Sequence, residues 1–119
     1  MNNYFVILAA GKSKRFDKNL AKQLYNYKNK EIIDHSIDKS LNSKLFKRIV
    51  IVSNNLNHFK KKKYPKTIKI IKGGKERSDS SLIALKYLKK FKPKNVFIHD
   101  AARPNFSIKL LQNIAKNLK

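Results

Sequence analysis

The stretch YFVILAAGKSKRF, residues 4–16, opens on five apolar residues in a row and then turns to alanine, glycine, lysine and arginine. An apolar run without polar alternation fits a strand covered on both faces, as in the centre of a parallel sheet. The same pattern recurs. IVIV at 49–52 and NVFI at 95–98 predict buried strands, and TIKII at 67–71 predicts another, ended by Gly73-Gly74. Between these runs the apolar spacing becomes helical. Ile33, Ile37 and Leu41 share one face over 32–41, and Leu56 with Phe59 suggests a short helix. Leu82, Leu85, Leu88 and Phe91 mark a helix face stopped by Pro93, and Leu111, Ile114, Ala115 and Leu118 mark a last helix. Strands alternating with helices predict an α/β fold: a mostly parallel sheet, helices on both faces, right-handed crossovers and open edges.

Composition bounds the reading. The 119 residues amount to one domain at most, with no internal repeat and no second-domain boundary. The absence of cysteine excludes disulfides and thiolate metal sites. The N-terminal MNNYFVILAAG has no basic leader, and its apolar run is too short to span a membrane. A cytoplasmic protein without membrane partners is the expectation. The formal charge of +22 invites a nucleic-acid partner. Most of that charge is lysine spread over every segment, alongside abundant Asn and Ile, which reads as a global bias. The densest patch, Lys60 to Lys63, reads as a solvated helix end. No interleaved aromatic platform or zinc-finger spacing supports nucleic-acid binding.

In open parallel sheets, ligands bind beyond the carboxyl ends of the strands. Three polar loops follow strand candidates. The first, Ala9 to Phe16 with Lys22-Gln23 beyond it, has small residues that let backbone approach a phosphate, and Arg15 and Lys22 as neutralisers. It lacks the P-loop and dinucleotide glycine patterns. A tight βα turn with two solvated cations explains it equally well. The second is GGKERSDSS at 73–81, where Asp79, Ser80 and Ser81 are candidate helix caps beside two permissive glycines. Capping accounts for one or two of these side chains and not all three. The third is HDAARP at 99–104. Its Asp100, at a strand end among small residues, suits a Mg²⁺ ion bridging phosphates, or else caps a turn. His99 reads as a hydrogen-bonded neighbour, and no Ser/His/Asp set for covalent catalysis is evident.

Taken together, LAAGKSKRF at 8–16, AKQL at 21–24, GGKERSDS at 73–80 and HDAARP at 99–104 resemble a family's motifs in order and spacing. That family is 2-C-methyl-D-erythritol 4-phosphate cytidylyltransferase, the CTP-dependent step of non-mevalonate isoprenoid synthesis. The resemblance implies a Rossmann-like sheet of nucleotidyltransferase type, with residues 1–119 as the N-terminal nucleotide-binding part of one domain whose C-terminal half is absent. It implies that Ala9, Ala10 and Gly11 line the nucleotide, while Arg15 and Lys22 grip the CTP phosphates and stabilise charge during attack. Gly74, Lys75 and Ser80 would surround cytosine and ribose. Asp100 would hold Mg²⁺ and contact substrate, Ala101 would face the nucleotide, and Arg103 would help place the methylerythritol phosphate. It further implies a homodimer for the full-length protein.

Two positions depart from the family pattern. Ser13 stands where the second loop glycine is usual, and Ala21 where a proline precedes Lys-Gln. The nearest rival is the cytidylyltransferase that uses ribitol 5-phosphate, which more often reads AGG in the first loop and valine before the arginine of the third; Ala10 and Ala102 favour the erythritol enzyme. A non-catalytic nucleotide-binding or nucleic-acid-binding fragment is the alternative from another class, and steep salt dependence of duplex binding would identify the latter.

Overall fold

The strand β1 (Asn3–Ala9) is buried along its whole length, as the apolar run at 4–8 predicts. In the computed structural model, which describes residues 3–9, 26–27, 30–60, 62–100 and 108–117, it lies inside a four-stranded sheet. Its neighbours are β4 (Arg48–Ser53) on one side and β6 (Asn95–Asp100) on the other, with β5 (Ile68–Lys72) outside β4. All three pairings are parallel. A separate antiparallel ribbon pairs β2 (Asn26–Tyr27) with β3 (Lys30–Glu31).

Alternation along the strands divides the core in two. Phe5, Ile7 and Ala9 join Ile49 and Ile51 on one face. There they meet Ile33 and Ile37 of α1 (Ile32–Ser43), Phe59 of α2 (Leu56–Lys60) and Leu111 of α4 (Ile108–Asn117). Tyr4, Val6 and Leu8 join Val50 and Val52 on the opposite face, under Ala84 and Leu88 of α3 (Arg77–Leu88). The chain thus steps from β1 to β4 to β5 with helices on one face. It then crosses back over β1 to β6 with α3 on the other face. Reversing direction and face together is what a constant crossover hand requires.

The α1 face at Ile33 and Ile37 is as expected, but Ser36, Ser40 and Ser43 are buried beside it. Two of these hydroxyls are satisfied within the helix: Ser40 Oγ donates to the Ile37 carbonyl (2.9 Å) and Ser43 Oγ to that of Ser40 (2.7 Å). Asp34 in the first turn pairs with Lys62 Nζ at 2.9 Å and accepts from the Tyr64 hydroxyl at 3.2 Å. Lys62 is therefore a strut between α1 and the α2–β5 connection, whereas Lys60 and Lys63 are exposed as the helix-end reading holds. At the far end of α3 a 3-10 turn (Lys89–Phe91) leads to Lys92 in the left-handed region, φ 51°, just before Pro93. The Arg48 guanidinium lies 4.7 Å from the Phe91 ring centre, closing this end of the sheet.

Two helix faces differ from expectation. In α3 the side chains against the sheet are Ser80, Ala84 and Leu88, while Leu82 and Leu85 are 53 % and 41 % exposed. An (i, i+4) row of small residues lets the helix approach the sheet closely, and the leucines at i, i+3 rotate outward. In α4, Leu111 is buried but Leu110 and Ile114 are exposed; the side chains of Ala115 and Leu118 lie outside the described residues. Strand β6 also runs two residues further than the apolar pattern indicates, so His99 and Asp100 belong to the strand. We expect Leu88→Ala to cost about 2–5 kcal/mol of unfolding free energy. Leu82→Ala should stay within about 0.5 kcal/mol. Urea denaturation of the two variants checks the assigned face.

Candidate nucleotide site at the carboxyl edge of the sheet

The register aligns the strand ends. Ala9 pairs with Ser53, Ser53 with Lys72, and Leu8 with Asp100. The chain leaves β1 toward β4 and β5 and returns past them to β6 on the other side of β1, with α3 on the opposite face from α1. The strand order therefore reverses between β1 and β6, and the crevice of a doubly wound sheet opens between their carboxyl ends. Ala9 and Asp100 flank that crevice. Asp100 alternates with Val96, which packs under α3, so it shares the α3 face of the sheet. His99 points to the other face, its ring stacked 6.2 Å from that of Phe5, a packing position rather than a catalytic one.

The glycine turn sits at the same edge beyond β5. Gly73 N–H donates to the Ser53 carbonyl (3.3 Å), which carries the β4–β5 pairing one residue past the strand. Gly74 N–H then donates to Ser80 Oγ (3.1 Å), and Asn54 Nδ2 donates to the Gly74 carbonyl (3.1 Å). The N-cap of α3 is Glu76, whose N–H donates to Asp79 Oδ2 (3.3 Å). Capping thus uses Asp79, and Ser80 anchors the turn from a buried position. None of the described glycines has a positive φ. What Gly74 supplies is proximity: a Cβ there would fall 2.5 Å from the Asp79 Cβ. Lys75 is exposed at the tip of the turn.

Of the residues singled out by sequence, the structure places Ala9, Gly74, Lys75, Ser80 and Asp100 along one edge. Ala10, Gly11, Arg15, Lys22, Ala101 and Arg103 lie outside the described residues. The turn and Asp100 are separated by three strand spacings, roughly 14 Å at about 4.8 Å each. That span suits an extended nucleotide with its base at one end and phosphates at the other. Among the described residues no three His, Asp or Glu side chains cluster as a metal cage. A single carboxylate among the described residues is nevertheless in keeping with Mg²⁺, which draws most of its ligands from phosphate and water. The sequence reading missed Ser53 and Asn54. The Ser-Asn-Asn run directly after IVIV was the available signal, since such residues favour local turn hydrogen bonds.

This sheet, with its carboxyl-edge turns, has the α/β architecture of nucleotidyltransferases. Residues 4–119 match the family model "IspD: 2-C-methyl-D-erythritol 4-phosphate cytidylyltransferase", and the chain belongs to that family. It is 51 % identical over 120 residues to the bifunctional enzyme IspD/IspF of Pelagibacter ubique, covering all of this chain and 32 % of that protein. It is 41 % identical over 119 residues to the 2-C-methyl-D-erythritol 4-phosphate cytidylyltransferase of Thermosipho melanesiensis, covering 94 % of this chain and 52 % of that one. The structure of the bifunctional IspDF from Campylobacter jejuni superposes with a TM-score of 0.81 at 28 % identity, over 100 % of this chain and 31 % of that one. The chain therefore spans from about a third to about half of the length of these relatives. Among the described residues no helix is long and apolar enough to cross a membrane.

Because Gly74 is in close contact with Asp79, Gly74→Ala should destabilise the chain by about 1–3 kcal/mol through overpacking. Ser80→Ala should cost about 1–3 kcal/mol by leaving the Gly74 N–H without its acceptor. Thermal and urea unfolding measure both.

Proposed function

We propose that residues 1–119 form the N-terminal, nucleotide-binding part of a single cytidylyltransferase domain. Its reaction is cytidylyl transfer from CTP to 2-C-methyl-D-erythritol 4-phosphate. The observation that carries this reading is the alignment of Ala9, the Gly74–Ser80 turn and Asp100 along one carboxyl edge, within a chain that matches the family over 4–119.

In this reading a phosphate oxygen of the acceptor attacks the α-phosphorus of CTP in line. A new P–O bond forms, the bond to the β-phosphate bridging oxygen breaks, and pyrophosphate leaves. The protein supplies no nucleophile, so positioning and charge stabilisation carry the rate. Gly74, Lys75 and Ser80 hold the cytosine and ribose at the turn. Ala9, Ala10, Gly11 and Ala101 present small surfaces and backbone groups to the nucleotide. Arg15 and Lys22 neutralise the triphosphate and the charge that develops on the leaving pyrophosphate. Asp100 would hold a Mg²⁺ ion, which when bound neutralises phosphate charge, and Arg103 orients the acceptor phosphate. The whole protein acts in the cytoplasm as a homodimer.

Calorimetric titration of the purified chain with CTP and ATP, each with and without Mg²⁺, tests the reading. CTP should bind selectively and more tightly with the metal. Arg15→Ala and Lys22→Ala should each weaken CTP by about 10–100-fold, the worth of a charge-assisted contact. A folded chain that binds neither nucleotide would refute the assignment.

A further inference from the structure

We infer that Asn54, at the carboxyl end of β4, is a positioning residue that sets the orientation of the nucleotide-base turn. The inference rests on the cytidylyl-transfer reading above and adds a residue outside the four motifs.

Three successive peptide planes of the turn are held by three different groups. The 72–73 plane is fixed by Gly73 N–H on the Ser53 carbonyl, and the 73–74 plane by Gly74 N–H on Ser80 Oγ. The 74–75 plane is fixed by Asn54 Nδ2 on the Gly74 carbonyl. A trans peptide is rigid, and its C=O and N–H point in opposite directions. By holding the Gly74 carbonyl, Asn54 therefore also aims the Lys75 N–H. That N–H has no acceptor among the described residues, and a carbonyl oxygen with one bond made keeps a second lone pair. An amide donor with no acceptor among the described residues and a carbonyl with one bond made, side by side at a strand end, are what the hydrogen-bonding edge of a pyrimidine base would meet.

Exposure separates this role from a structural one. Asn54 is exposed, so water would satisfy the Gly74 carbonyl in its absence and little stability depends on the bond. What water does not provide is a fixed plane. The hydrogen bond spans 20 residues and links the β4–α2 connection to the entry of α3, so the turn inherits the rigidity of the sheet.

The test compares wild type, Asn54→Ala and Asn54→Asp, the last having the same shape without the donor. Each is titrated with CTP and with inorganic triphosphate, both in Mg²⁺, and its thermal midpoint is recorded. We expect both variants to bind CTP about 2–10-fold more weakly, the worth of one hydrogen bond. Triphosphate affinity and thermal midpoint should stay at the wild-type values. Variants that bind CTP as tightly as wild type overturn the inference and leave the nucleotide reading intact. Equal losses for CTP and triphosphate, or a lowered midpoint, overturn it in favour of a structural role. A wild-type chain that binds triphosphate but shows no preference for CTP overturns the base-turn reading and this inference with it.

Discussion

Everything in this molecule follows from the need to cover β1 on both sides. Six buried apolar residues in an extended strand, Tyr4 to Ala9, present their side chains alternately up and down, and backbone groups to left and right. The lateral groups are met by β4 and β6 and the two faces by helices. Once β1 is central, its carboxyl end must emerge in the interior of the edge, flanked by strand ends whose loops have room to gather. The site is therefore a by-product of burial. The strands that pack the core are the same ones whose carboxyl ends carry Ala9, Ser53 and Asp100.

The glycine turn shows how a local motif is tied to that frame. Its residues could form a helix start anywhere, and Asp79 back-bonding to Glu76 is an ordinary cap. What makes it specific is its tethering to β4 through Ser53 and Asn54 and the close approach of Gly74 to Asp79. Glycine here serves for contact distance and not for an unusual backbone angle. The departures at Ser13 and Ala21 lie outside the described residues.

The buried strands were legible in the sequence because a continuous apolar run has few other uses in a chain of this length. The β2–β3 ribbon was not, since two residues per strand carry no period. The buried face of α3 was legible at Leu88 and Phe91 but not at Leu82 and Leu85, because a helix lying close on a sheet is seated by small residues, here Ser80 and Ala84, that carry no apolar signal. The glycine turn was legible from residue type at a strand end. The part played by Asn54 was hidden, because a bond across 20 residues depends on strand register, which no local pattern encodes.

The outward leucines have a colloidal consequence. Leu82, Leu85 and Ile98, with Leu110 and Ile114 on α4, are exposed apolar side chains on a molecule whose formal charge is +22. In dilute buffer that charge holds copies apart over a screening length of about 30 Å at 0.01 M salt. At 1 M salt the length falls to about 3 Å, less than the reach of a leucine side chain, so charge no longer holds these side chains apart. For this chain added salt thus removes a barrier between copies and leaves the exposed leucines in place, the reverse of the usual practice of adding salt to keep a protein dispersed.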